Sequence, residues 1–169
     1  MSYYEDLRNA KGWSRREVCD QVYKLLGFYA INESKLRRIE EGEGQVKADD
    51  VLILSKVYGE PALKNYYCTN ECKIGKESVP EIKIKDLTQI VLEMLSSLNT
   101  LEQRQARFIE ITADGEIQDS EIEDFIKLQH ELEKMEVTIE TMQYWIEKML
   151  NEGKINKLRY DSIRTRLGI

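Results

Sequence analysis

Between residues 125 and 149 the apolar side chains Phe125, Leu128, Leu132, Met135, Ile139, Met142, Ile146 and Met149 recur at steps alternating three and four. Such spacing is a heptad seam, and it lays one apolar stripe along one side of a helix. A single helix over about residues 120–150 is therefore predicted. Upstream, Leu87, Val91, Met94, Leu98, Leu101 and Phe108 form a second stripe, broken at Gln105. The connection TADGEIQD is short, so the two helices are expected to fold back as an antiparallel hairpin. Two helices leave part of each stripe wet, and Trp145, Leu150, Ile90 and Leu95 add apolar surface beside the seams. Self-association is thus expected through the hairpin, using the eight seam residues and Trp145.

The first half of the chain has a different texture. Short apolar-periodic segments, YYEDLRNAKG, SRREVCDQVYKLLG, NESKLRRIEEG and ADDVLILSKVYG, each run into a glycine and read as helices. Ser14 and Glu17 have the spacing of a capping box, and Asn32 can cap the next helix, so helix starts are predicted at Arg15 and Glu33. Leu36, Ile39, Val51, Leu52, Leu54 and Val57 are expected to face a core. Pro80 lies in CKIGKESVPEIKIKD, which has no helical or strand period, so the domain boundary is set there: residues 1–78, then 79–169. The fold class expected is all-α.

Several function classes can be set aside. Three cysteines, Cys19, Cys68 and Cys72, are an odd and irregular set, and MSYYEDLR lacks the apolar run of a signal peptide, which favours a reducing, cytoplasmic setting. No stretch approaches the roughly 18 apolar residues of a membrane span. EITADGEIQDSE resembles an EF-hand loop at Asp114, Gly115, Ile117 and Glu121, but Glu110 and Thr112 stand where anchoring ligands are needed, so a plain turn is expected. A closed zinc site needs four ligands, which leaves Cys68 and Cys72 only Cys19 and His130, and His130 falls mid-helix in the other domain, so free thiols are expected. No catalytic constellation emerges, and neither a metal, a cofactor nor an enzymatic activity is expected.

The residues LRNAKGWSRREV, then INESKLRRIEEG and ADDVLILSKVYG, resemble the phage-repressor type of helix-turn-helix, the family of Cro-like and xenobiotic-response-element regulators. The likeness covers residues 4–66 and rests on ordered features: Leu7-Arg8, Ser14 before a helix, Val18-Cys19, and the phrase Leu36, Ile39, Glu40, Gly42. In that family the second motif helix enters the major groove with its first residues toward base edges. The resemblance implies that Asn32, Glu33, Ser34, Lys35, Arg37 and Arg38 do so here, with Arg15, Arg16 and Lys47 on the same DNA-facing surface. It also implies a structural ion pair between Arg8 and Glu40. Double-stranded DNA is then the expected partner. The segment from Tyr23 to Ala30 lengthens the spacing between Val18 and Asn32 beyond the family's, and Glu43, Gly44 and Gln45 stand where related proteins hold basic phosphate contacts.

Charge tempers this reading. Residues 1–78 hold 13 Lys+Arg and 13 Asp+Glu, and the remainder 12 and 18, so no broad basic footprint exists to release counterions from DNA. The basic patch KINKLRYDSIRTRLGI near the C-terminus carries Lys154, Lys157, Arg159, Arg164 and Arg166 against Asp161, and is expected to dock as a short helix on the acidic hairpin. The role expected is a dimeric, sequence-specific transcriptional regulator with no membrane contact. The alternative is a protein-interaction adaptor whose helix-turn-helix no longer binds DNA.

Overall fold

A computed structural model describes residues 2–83 and 85–169, and among them every regular element is a helix. The order is α1 (Tyr3–Ala10), α2 (Arg15–Leu26), α3 (Glu33–Glu40), α4 (Ala48–Tyr58), α5 (Ala62–Asn70), α6 (Gly75–Ser78), α7 (Leu87–Ile111), α8 (Ile122–Asn151) and α9 (Lys157–Leu167). The chain divides into two compact units, one of Met1–Glu81 with Glu147–Ile169, the other of Ile82–Ile146. No described helix is long and apolar enough to cross a membrane.

In the first unit the helix boundaries follow from local chemistry. Ser14 Oγ accepts the Glu17 amide at 3.2 Å while Glu17 Oε2 accepts the Ser14 amide at 2.7 Å, so two amides without intrahelical partners are satisfied at once. These bonds hold the Glu17 carboxyl below its usual range. Asn32 Oδ1 accepts the Lys35 amide at 2.9 Å and starts α3. At the other end of α2, Gly27 takes φ +81°, a left-handed conformation open to glycine without a Cβ clash.

The core of this unit is built from Tyr4, Val18, Val22, Ile31, Leu36, Ile39, Val46, Val51, Leu54, Tyr58 and Leu63. Leu52, expected to face the core, is 48% exposed: α4 turns Val51, Leu54, Ser55 and Tyr58 inward, and Leu52 lies off that face. Helix α5 has no counterpart among the predicted elements. Its sequence ALKNYYCTN is poor in strong helix formers, and what holds it is tertiary: Leu63 is fully buried, Tyr66 stacks near Tyr3 at 4.6 Å, and the buried Asn65 side chain donates to the Pro80 carbonyl at 2.8 Å. Gly75 is required beside it, because a Cβ there would overlap the Cys68 carbonyl.

The C-terminal segment groups differently from the expectation. From Glu147 onward the chain belongs to the first unit, where Lys64 Nζ meets Glu147 at 2.7 Å and Lys148 Nζ meets Glu60 at 3.0 Å. The boundary drawn at residue 78 also moves, to Glu81. Helix α9 has no buried residue, and Leu158 at 85% and Leu167 at 62% exposure are uncovered.

In the second unit, Arg107 of α7 donates to Asp124 of α8 at 2.8 Å across the 112–121 turn. Within that turn Gly115 has φ +78° and Asp114 Oδ1 accepts the Glu116 amide at 3.1 Å. Helix α8 spans the predicted seam, but the seam is not what becomes buried. Phe125, Leu132 and Ile139 are 39%, 52% and 44% exposed, while Leu128, Met135, Met142, Trp145, Ile146 and Met149 are half-buried. The residues of α8 that are buried are Glu131, Thr138 and Thr141, and those of α7 are Ile90, Ser97 and Ile111. The two threonines avoid the cost of an unmade hydrogen bond by donating to carbonyls one turn back, Lys134 at 2.9 Å and Val137 at 2.6 Å.

Candidate nucleic-acid interface

Helix α3 is fixed on one side and open on the other. Leu36 is fully buried and Ile39 nearly so, and the Glu40 side chain has no exposed surface. Glu40 is held by two arginines: Arg8 Nε donates to Oε1 at 2.6 Å and Nη2 to Oε2 at 3.1 Å, and Arg15 Nε donates to Oε2 at 2.7 Å. Arg8 Nη1 also reaches the Trp13 carbonyl at 3.0 Å, so α1, α2 and α3 are tied through one carboxylate. This charge-assisted bonding raises the Arg8 pKa further above its ordinary value. Tyr58 lies close by, its pKa raised by burial and by Glu40, and its hydroxyl is buried with no hydrogen-bond partner among the described residues.

The opposite face of α3 carries Glu33, Ser34, Arg37 and Arg38, all exposed. A cleft of about 510 Å³ opens beside it, lined by Asn32, Ser34, Lys35, Arg38 and Lys47 from the predicted set, together with Glu43, Gly44, Gln45 and Asp50 among others. Five predicted residues are thus brought together, whereas Arg15, Arg16, Glu33 and Arg37 do not line this cleft.

The cations of this surface are not equally available. Lys35 Nζ is bonded to Asp50 at 2.6 Å and to the Ala30 carbonyl at 3.3 Å. Arg37 pairs with Glu41 and, at 3.3 Å, with Glu43. Arg15, expected on the DNA-facing surface, is drawn to Glu40. Among the described residues Arg16, Arg38 and Lys47 take part in no ion pair. Arg38 passes close to Gly44, whose φ of +97° carries the chain around the end of α3. Lys47 precedes α4 without a side-chain cap.

Two features of this surface were not named from the sequence. Asp50 is one, because a partner fifteen residues downstream of Lys35 leaves no local pattern. The other is the exposure of Tyr23, at the end of α2, and of Phe28 and Tyr29 beyond it, in a segment that the sequence marks only as an insertion.

Elsewhere the polar groups resolve into structure. No group of three or more His, Cys, Asp or Glu side chains among the described residues is arranged to hold a metal. No disulfide joins the three cysteines, and burial pushes the Cys19 thiol up, which keeps it protonated and a poor nucleophile. Comparison with protein-family models, with curated proteins and with solved structures finds no match to this chain.

Proposed function

We propose that the chain is a cytoplasmic, sequence-specific DNA-binding transcriptional regulator that works as a dimer. In this reading α2 and α3 are the two helices of a repressor-like helix-turn-helix, and α3 enters the major groove. The observation that carries it is the division of α3 into two faces. Leu36, Ile39 and the clamped Glu40 anchor one, and Ser34, Arg37 and Arg38 project from the other. A guanidinium can bond bidentately to guanine or clamp a phosphate, and Ser34 can serve either surface.

Helices α7 and α8 supply the dimer contact in this proposal. Their Arg107–Asp124 pair, and a groove of about 380 Å³ shared by Ser96 and Ser97 of α7 with His130 and Thr138 of α8, support an antiparallel hairpin. Exposed Phe125, Leu132 and Ile139 are then the surface for a second copy. Dimerisation compensates for the few free cations by effective concentration at two half-sites.

A second reading has one observation in its favour. Pairing of Lys35, Arg37 and Arg15 with nearby carboxylates interrupts the positive face, as in an adaptor that has given up nucleic acid. Selection from a random duplex pool separates the two. A regulator enriches one sequence class, and replacing both Arg37 and Arg38 by alanine abolishes its specific binding with helicity intact. An adaptor enriches nothing.

A further inference from the structure

The end of α2 and the turn that follows it expose apolar surface out of keeping with the unit they belong to. Tyr23, Leu25, Phe28 and Tyr29 are 47%, 47%, 60% and 59% exposed, while Val22 and Ile31 on either side are fully buried. Isolated exposed apolar residues are ordinary, but a contiguous group marks a contact surface. This one is also held in shape. The rings of Tyr23 and Tyr29 lie 4.8 Å apart, and the Tyr29 hydroxyl donates to Asp20 at 3.4 Å. The Ala30 amide closes on the Phe28 carbonyl at 3.1 Å, and Lys35 of α3 donates to the Ala30 carbonyl.

The position limits what it can meet. Phe28 precedes the first residue of α3 by five residues, a chain distance of at most roughly 17 Å, and the bonds that fold the turn shorten it. The major groove is about 12 Å wide, so a duplex engaged by the start of α3 brings its groove edge within reach of these rings. Asp20 and Glu33 beside the turn make it a poor phosphate contact. Among the features of the four base pairs in the major groove, the thymine methyl is the apolar one.

We infer that Phe28 and the Tyr23–Tyr29 ring pair form a second reading element, which recognises thymine methyl groups beside the bases contacted by α3. This rests on the DNA-binding reading proposed above and adds the base class that the turn selects. It assigns the insertion a task that the repressor likeness leaves open.

The test uses the full chain and duplexes that it selects from a random pool. Each thymine is replaced singly by uracil, which removes the methyl and leaves the hydrogen-bonding edge unchanged, and affinity is read by fluorescence anisotropy. At one or more thymines the replacement should weaken binding roughly four-fold, the value of one buried methyl. Phe28→Ser and Tyr29→Ser variants, with unchanged circular dichroism because both side chains are exposed, should lose part or all of that discrimination. Selected sites without an enriched thymine, equal binding of thymine and uracil duplexes by the parent, or variants that discriminate as the parent does would each overturn the inference and leave DNA binding standing. A pool from which nothing is enriched would instead remove the DNA-binding reading, and this inference with it.

Discussion

Arg8 and Glu40, separated by 32 residues, share two hydrogen bonds, and the carboxylate they meet at is closed to solvent. Leaving a buried charge unpaired is expensive, even where a whole pair is worth little against an apolar replacement. Arg8→Ala removes two of the three hydrogen bonds that hold Glu40, leaves it the one from Arg15, and should cost about 3 kcal/mol of unfolding free energy. Arg15 retains one bond to Glu40, so Arg15→Ala should cost less. Urea denaturation of both variants checks the order, and equal losses would show that the two arginines are interchangeable.

Glu71 makes stability depend on pH in the direction opposite to a salt-bridged carboxylate. Burial raises its pKa, and the hydrogen bond from Tyr4 at 3.1 Å offsets that only in part. A carboxyl with a raised folded pKa contributes stability that is present below the unfolded value, about 4.3, and lost as pH rises through the folded value. Glu71→Gln should raise the urea midpoint at pH 7 and leave it unchanged near pH 4. A larger gain in acid than at neutrality would reverse the assignment.

The two exposed arginines of α3 should differ in their effect on DNA. Arg37 is occupied by Glu41 and Glu43, whereas Arg38 lines the cleft without an ion pair among the described residues. In a duplex-binding assay Arg38→Ala should lower affinity tenfold or more, the scale of a lost bidentate contact. Arg37→Ala should have a smaller effect. Converting Glu41 and Glu43 together to glutamine frees Arg37, and should tighten binding and steepen its salt dependence. A double glutamine variant with the parent's salt slope would show that Arg37 stays away from phosphate.

Leu132 and Ile139 stand exposed on α8 in line with Phe125. If they are covered by a second copy, Leu132→Glu with Ile139→Glu should convert a micromolar dimer to a monomer without loss of helical signal. Sedimentation velocity reads the outcome, and a parent chain that already sediments as a monomer at that concentration rules out the hairpin dimer.

The sequence was legible where a structural cause is local. Ser14 with Glu17, Asn32 and Gly27 mark helix ends because their chemistry acts within one turn. The period of residues 125–149 gives the extent of α8, yet not which side of it is covered, because the buried positions fall to Glu131, Thr138 and Thr141, which carry no apolar period. Helix α5 escaped notice for the complementary reason: Leu63, Asn65 and Tyr66 are helical through partners far away in sequence. At the candidate interface the exposed residues of α3 could be named, but the bond from Arg15 to Glu40 on another helix left no local sign. Pairings such as Lys64 with Glu147, 83 residues apart, leave no signature in either neighbourhood.

That last pairing bears on the order in which the protein can be made. The first unit is interrupted: Glu60 and Lys64 are translated early, but Lys148 and Glu147 belong to the same compact unit and arrive after residues 82–146 have been added. At roughly 5–20 residues per second, ribosomal synthesis of that stretch takes on the order of 3–13 s. For that interval the nascent N-terminal helices lack the ion pairs that Glu147 and Lys148 bring, and the first compact unit gains them only once the segment from Glu147 onward has been made.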